Sequence, residues 1–249
     1  MPPRLYVSEP LRANGSLALP EAAARHAQVL RLQPGSPVTL FDGHGGEWTA
    51  RIEAMGKREV AATALLHQDV ERELPCRVTL ALAMPSGERM DFVVEKATEL
   101  GAARIVPLTS ERSVLRLAGE RAARRRAHWQ AIAVAACEQC GRNRVPEVCP
   151  PQPLAPWLGT LDAVEARAAN EQRWLLGWRD AQPWSTMLAV APTSVLILSG
   201  PEGGFTADEE RLAASIGFST LGLGPRVLRA DTAPLAVLAA LSLQSAPHR

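Results

Sequence analysis

The sequence predicts an α/β protein in two parts, a small and mostly β module followed by a larger domain on a mainly parallel sheet. Three observations predict this. Short extended segments with tight turns fill the first seventy residues. After a charged stretch closed by a proline, apolar strands alternate with helical patterns. Toward the end, strand, loop and helix follow one another twice, the order that a parallel sheet with crossover helices requires.

In the first part, Arg4–Val7 and Val38–Phe41 read as extended and Glu21–Leu30 as a short helix. Pro34-Gly35 and Asp42-Gly43 are turn chemistry, with Gly45-Gly46 just beyond. Trp48–Glu53 and Val60–Leu66 complete the module, and Gln68–Pro75 reads as a linker, which sets expected domains at 1–70 and 71–249. Val78–Met84 suits a buried strand. The helix after it carries Met90, Val93, Val94, Ala97 and Leu100 on one face and stops at Gly101. Arg104–Pro107 is a short strand. Arg121–Cys140 is a long helix whose apolar stripe is Trp129, Ile132, Ala133 and Ala136. Residues 150–190, with five prolines and four tryptophans, are the least regular and read as packed loops. Val195–Leu198 is a buried strand, and Thr206 with Glu209 makes a capping box for the next helix, which ends at Gly217. Phe218–Leu223 is the last strand. The final helix starts around Thr232–Pro234, where proline suits the first turn, and runs to about Gln244.

Composition narrows the function. The chain has 249 residues, 47% of them hydrophobic, enough for a well-buried core. Its N-terminus lacks the apolar stretch of a signal peptide, and the longest apolar run, near Pro234–Leu243, is too short to span a bilayer. A soluble, cytoplasmic protein is the expectation. The four cysteines, Cys76, Cys137, Cys140 and Cys149, are not needed as disulfides in so large a core. Cys137 and Cys140 have the spacing of a redox or zinc motif but end a helical pattern, and no second pair accompanies them, so no metal is expected. Net charge is +1, yet seven arginines fall between Arg104 and Arg126. That stretch is either a solvated helix face or a footprint for phosphates, which guanidinium groups bind in bidentate fashion.

Two loops carry the chemistry. The first is Gly200-Pro201-Glu202-Gly203-Gly204. The second is Gly224-Pro225-Arg226-Val227-Leu228-Arg229. Glycine lets a ligand approach the backbone closely, and proline stiffens the same loops. Neither matches the Walker or the Rossmann pattern. They point to a small organic ligand held largely by main chain, or else to tight connections and nothing more.

Those two loops resemble the signature of the SPOUT-class methyltransferases that make N3-methyluridine in 16S ribosomal RNA. Ala136–Glu147 resembles the central motif of that family, and Met90–Gly101 and Ser110–Ser113 are similar to two further blocks. The resemblance covers nearly the whole chain. It implies a PUA-like β-barrel followed by a SPOUT domain whose C-terminal segment forms a deep trefoil knot, an exception to the rule against knots. It also implies a homodimer, S-adenosyl-L-methionine as cofactor, and 16S ribosomal RNA within the small ribosomal subunit as partner. By resemblance Leu198, Ser199, Gly200, Glu202 and Gly203 line the cofactor pocket, with Leu221, Leu223, Gly224, Val227, Leu228 and Arg229. The stripe on the long helix suggests that its region lies near the dimer interface or the facing active site. Two positions depart from the family: Ala230-Asp231-Thr232 stands where Thr-Glu-Thr is usual, and Ser86 stands where a basic residue usually precedes the glycine.

N3 of uridine carries a proton and is a weak nucleophile until the proton leaves. The site therefore needs a base, or donors that stabilise the uridine anion. Asp231 and Glu138 are the candidate bases, and Arg229 and Arg142 the candidate anion stabilisers. Alternatively Asp231 is a helix cap, and Glu138 with Arg142 is a surface ion pair. RNA contacts are expected from Arg4, Arg25 and Arg31 in the first module and from Arg112 and Arg116 in the second. One rival is a ribose 2′-O-methyltransferase, which usually shows a Ser-Leu-Asn-Val-Ser type block before the last helix, absent here. The other is a non-catalytic ribosome-assembly factor, against which the intact glycines at 200, 203, 204 and 224 speak.

Overall fold

Alternating apolar side chains between residues 37 and 68 build the centre of a five-stranded sheet, as the computed structural model of the chain shows. Residues 2–56, 59–87, 89–162, 170–188 and 191–244 are described. The chain divides into two compact units, Met1–Glu73 with Val134–Val145, and Leu74–Ala133 with Pro146–Arg249.

The first unit contains β1 (Arg4–Tyr6), β2 (Gly15–Ala18), α1 (Glu21–Val29), β3 (Pro37–Phe41), β4 (Glu47–Met55) and β5 (Val60–Gln68). Its strand order is β1-β3-β4-β5-β2, with β1 parallel to β3 and the other pairs antiparallel. Leu5, Val38, Leu40, Ile52, Val60 and Ala62 meet Ala23, Ala24 and Ala27 of α1 in one apolar cluster. The β2 strand was not expected; it is a short edge strand that follows Asn14 in the left-handed region.

Residues 71–73 are no loose linker. Arg72 donates to Glu47 Oε2 at 2.9 Å and to the Gly141 carbonyl at 2.8 Å, Glu71 accepts from Arg144 at 2.8 Å, and Glu73 pairs with Arg142. The charge that suggested a linker is matched by partners 25 to 73 residues away along the chain, inside the same unit.

The second unit alternates strands and helices: β6 (Arg77–Ala83), α2 (Arg89–Glu99), β7 (Arg104–Thr109), α3 (Gly119–Cys140), β8 (Glu147–Val148), β9 (Gln152–Pro153), α4 (Leu154–Asp162), β10 (Glu171–Leu176), α5 (Trp184–Met187), β11 (Ser194–Ser199), α6 (Ala207–Ser215), β12 (Ser219–Leu221) and α7 (Thr232–Leu243). The last two turns of α3 belong to the first unit. All strand pairs here are parallel, in the order β12-β10-β11-β6-β7-β8, with β9 also beside β7. Gly101, which ends α2, has φ +93, and a Cβ there would lie 2.6 Å from Leu74 Cγ, so no other residue fits without movement. The capping box of α6 is present as expected, with Thr206 and Glu209 bonding reciprocally.

Of the four stripe residues of α3, three are buried and Ile132 is half-buried. Trp129 is 1% exposed, Ala133 is 0% and Ala136 is 4%, so these residues offer no surface to a second copy. Residues 150–190 also differ from the expectation of loops, since α4, β10 and α5 lie there and β10 occupies an interior position in the sheet.

Candidate functional site

Three neighbouring parallel strands, β12, β10 and β11, end on the same side of the second unit's sheet, and a cavity of about 820 Å³ opens at their carboxyl ends. Parallel sheets bind ligands at this edge, because the loops that leave the strands there are free to diverge. Ser199, Gly200, Glu202 and Gly203 form one wall of the cavity, and Leu223, Gly224, Val227, Leu228 and Arg229 form another. Both stretches were singled out from the sequence. Leu198 and Leu221 were expected here too, but both are fully buried in the strands behind the cavity and are not among its walls.

A third wall went unseen. Leu175 to Arg179, where β10 ends, lines the same cavity, as do Thr220, Arg89 and Ala233. The signal that could have found it is the apolar run Trp174-Leu175-Leu176 just before Gly177.

The 200–204 loop is held by groups outside it. Glu202 Oε1 accepts from the Ser86 amide at 3.1 Å, from the Ser86 hydroxyl at 2.9 Å and from Arg89 Nη1 at 3.3 Å. Burial alone would raise the Glu202 pKa. Its own amide, the two Ser86 donors and the Arg89 charge outweigh that and hold it below the ordinary carboxylate range. Ser86 is thus a partner of the loop. Arg112, expected to contact RNA, donates from Nη1 to the carbonyls of Gly203 at 2.9 Å and Phe205 at 3.4 Å. Its exposed neighbour Arg116 donates to the Glu111 carbonyl.

Arg229 is exposed, and its carbonyl accepts from the amides of Thr232 and Ala233 at the start of α7. Asp231 sits at the N-cap position of α7 in a helical conformation, and its side chain caps nothing; it accepts from the Thr232 hydroxyl at 3.1 Å. The capping alternative for this carboxylate therefore fails. It is not among the cavity walls, although Ala230 and Ala233 on either side are.

Glu138 and Arg142 are engaged inside the first unit, and not with each other. Glu138 accepts from the Tyr6 amide at 2.9 Å and pairs with His26 Nδ1 at 3.0 Å. Arg142, whose side chain is 4% exposed, pairs with Glu73 through Nε at 3.0 Å and again through Nη2. Both groups have close partners within the first unit, so neither is free to act as base or anion stabiliser where it stands. Arg4, an expected RNA contact, is similarly occupied. Its side chain is 9% exposed and bonds Glu47, Asn143 and the Arg142 carbonyl. Burial there follows from charge balance, since a carboxylate taken out of water needs this many donors. Arg25 and Arg31, by contrast, are exposed, Arg25 making an i,i+4 pair with Glu21.

Cys137 is buried, and burial pushes its thiol up to about 12, far from the thiolate that metal binding or redox exchange requires. Among the described residues no group of three or more His, Cys, Asp or Glu is placed to hold a metal ion, and no helix is long and apolar enough to cross a membrane.

Comparison with known proteins gives this geometry its context. The family model described as an RNA methyltransferase domain matches residues 72–242, and one described as an RNA methyltransferase PUA domain matches residues 19–65. The chain is 34% identical over 221 residues to the ribosomal RNA small subunit methyltransferase E of Bacillus subtilis, covering 87% of this chain and 85% of that one. It is 34% identical over 248 residues to the protein of the same name from Synechocystis, covering 96% and 77%. The crystal structure of such a methyltransferase from Neisseria gonorrhoeae bound to S-adenosyl methionine superposes with a TM-score of 0.88 at 38% identity, covering 97% of both chains. A family model that spans more than half of the chain, together with relatives 34% identical along most of their length, makes this protein a member of the RNA methyltransferase family with a PUA domain.

Proposed function

We propose that this protein transfers the methyl group of S-adenosyl-L-methionine to N3 of a uridine in 16S ribosomal RNA of the small subunit. The observation that carries the reading is the cavity at the ends of β10, β11 and β12, walled by two proline-stiffened glycine loops, in a chain of this family. The residues present fit the cofactor. A volume of about 820 Å³ suits a molecule of that size. Leu175, Leu223 and Leu228 offer apolar surface for a purine, and the ionised Glu202 offers negative charge at the rim to a cationic ligand. A Cβ on Gly224 would stand in open space, so its absence leaves room for a ligand against the backbone.

When bound, S-adenosyl-L-methionine supplies a methyl group on a sulfonium. The chain must orient the uracil and remove the N3 proton. Arg229, on the cavity wall, is the proposed stabiliser of negative charge on the uracil oxygens as that proton leaves. Asp231, two residues on and with no capping duty, is the proposed base. Holding nitrogen, methyl and sulfur in line is the task of the stiff loops.

The finer architecture belongs to the same proposal. Residues 1–70 would act as a PUA-like barrel, and residues 71–249 as a SPOUT domain with a C-terminal knot. The chain would work as a homodimer in the cytoplasm, where small subunits are available. Substrate would be gripped by Arg25 and Arg31 in the first part, and by Arg116 with the exposed Arg121, Arg124 and Arg125 in the second. One uridine among many is chemically identical to the rest, so choice has to come from RNA shape read over a distance. Methyl transfer should therefore be fastest on intact small subunits, slower on naked 16S RNA and slowest on a short uridine-containing oligomer. Equal rates on the three would contradict this division of labour.

A further inference from the structure

We propose that Arg112 is a positioning residue for the 200–205 loop rather than a contact to RNA. The inference rests on the reading that this loop walls a cofactor site. The segment after β7 is pinned by two buried serines. Ser113 Oγ accepts from the Ser110 amide at 2.9 Å and shares a hydrogen bond with Ser110 Oγ at 2.9 Å. This pinned turn carries Glu111 and Arg112, and each reaches the loop or the helix behind it. Arg112 Nη1 bridges the Gly203 and Phe205 carbonyls at 2.9 and 3.4 Å. The Glu111 amide donates to Glu209 Oε1 at 2.8 Å, while Glu209 Oε2 accepts from the Thr206 amide at 2.9 Å and so closes the α6 capping box.

The loop has need of such a latch. Among the described residues the loop has one internal main-chain bond, from the Gly204 amide to the Pro201 carbonyl at 2.8 Å. Gly203 and Gly204 bring no side chains of their own, and the Gly203 and Phe205 carbonyls face a cation instead of a strand partner. The stem of Arg112 also covers Gly203: a Cβ built there would lie 3.5 Å from Arg112 Cδ and 3.6 Å from its Cβ. Gly203 and Phe205 are cavity walls and Arg112 is not. The guanidinium thus acts on a ligand through the loop. A charge-assisted bond to two carbonyls fixes where the loop's remaining polar groups point, which is the form in which a remote side chain contributes to affinity.

The test compares Arg112→Ala and Arg112→Lys with the parent protein, after circular dichroism has shown each variant folded. For Arg112→Ala the dissociation constant for S-adenosyl-L-methionine by calorimetry should rise about tenfold. The loss should fall on the KM for the cofactor more than on kcat. RNA affinity, and the slope of its logarithm against that of salt, should stay at the parent's value. Arg112→Lys, whose ammonium can still reach one carbonyl, should recover most of the cofactor affinity. A salt slope lower by about one with the cofactor constant unchanged would make Arg112 an RNA contact and overturn the proposal, and so would parental values throughout. Hydrogen exchange separates this inference from the reading it rests on. If the parent itself bound no cofactor, the cavity assignment would fall. The Gly204 amide should still exchange at least tenfold faster in Arg112→Ala, and unchanged exchange would refute the latch on its own.

Discussion

Replacing Gly224 by valine is expected to raise the dissociation constant for S-adenosyl-L-methionine at least a hundredfold while the protein stays folded. Gly224 has φ +90, a conformation in which an L side chain is strained by roughly 1–2 kcal/mol. Apart from its chain neighbours no atom lies within 4 Å of the position its Cβ would take, so a side chain there starts out in open space beside the cavity. Strain and obstruction therefore fall on the loop and its ligand. The residue is exposed and contributes nothing to the core, so the melting temperature should fall by only a few degrees. Gly203→Ala is the contrast. Its Cβ would make ordinary contacts with the Arg112 stem, so affinity should change by less than about fivefold. Calorimetric titration of both variants checks the pair. Parental affinity in Gly224→Val would remove the second loop from the binding site.

The second large effect concerns the first unit. Glu47→Gln should lower stability by about 3 kcal/mol at pH 7, because it removes one partner from a buried charge cluster and leaves the others uncompensated. Glu47 is 9% exposed and lies between Arg4 and Arg72, at 2.7 and 2.9 Å. Burial alone would raise its pKa. Hydrogen bonds from Arg72, Arg4 and Asn143 outweigh burial and bring it from the ordinary 4.5 down to about 2. The folded state thus holds this proton more weakly than the unfolded state does. The stabilisation is complete above the unfolded value and drains away as pH falls through that value toward the folded one. Urea denaturation should show the deficit of the variant shrinking to less than half between pH 7 and pH 3. An equal deficit at both pH values would show that the carboxylate's charge is not what the cluster needs.

This cluster also marks where sequence reading stops. Glu138, Arg142 and Arg4 are conspicuous as chemistry-bearing residues, and the first two stand in a block that resembles the family's central motif. What occupies them is Tyr6 and His26, Glu73, and Glu47 with Asn143, separated along the chain by 132 and 112, 69, and 43 and 139 residues. No local pattern reports such partners. The loops around Gly200 and Gly224 were legible for the opposite reason. Glycine and proline there follow apolar strands directly, and the capping box at Thr206 and Glu209 is a purely local device.

The strand β10 was missed because its first half is Glu171, Gln172 and Arg173. Arg173 is 6% exposed in the middle of a parallel sheet, where a near-continuous apolar run is the rule. Its guanidinium is satisfied by Glu171 at 2.9 Å and by the Ile216 carbonyl at 2.9 Å, the latter a partner no pattern could supply. With β10 unseen, the wall from Leu175 to Arg179 went unseen too, and a third of the site's frame with it.

The identity of the methylated nucleoside decides between base and ribose methylation. Small subunits from cells lacking this enzyme would be incubated with the purified protein and S-adenosyl-L-methionine carrying a labelled methyl group. The 16S RNA would then be digested and its nucleosides separated by liquid chromatography with mass detection. Label is expected in N3-methyluridine at a single site, with none in Asp231→Ala or Arg229→Ala protein that still binds the cofactor. Label in a 2′-O-methylated nucleoside would contradict this, and so would the absence of label from the parent protein on subunits that were unmethylated at the start.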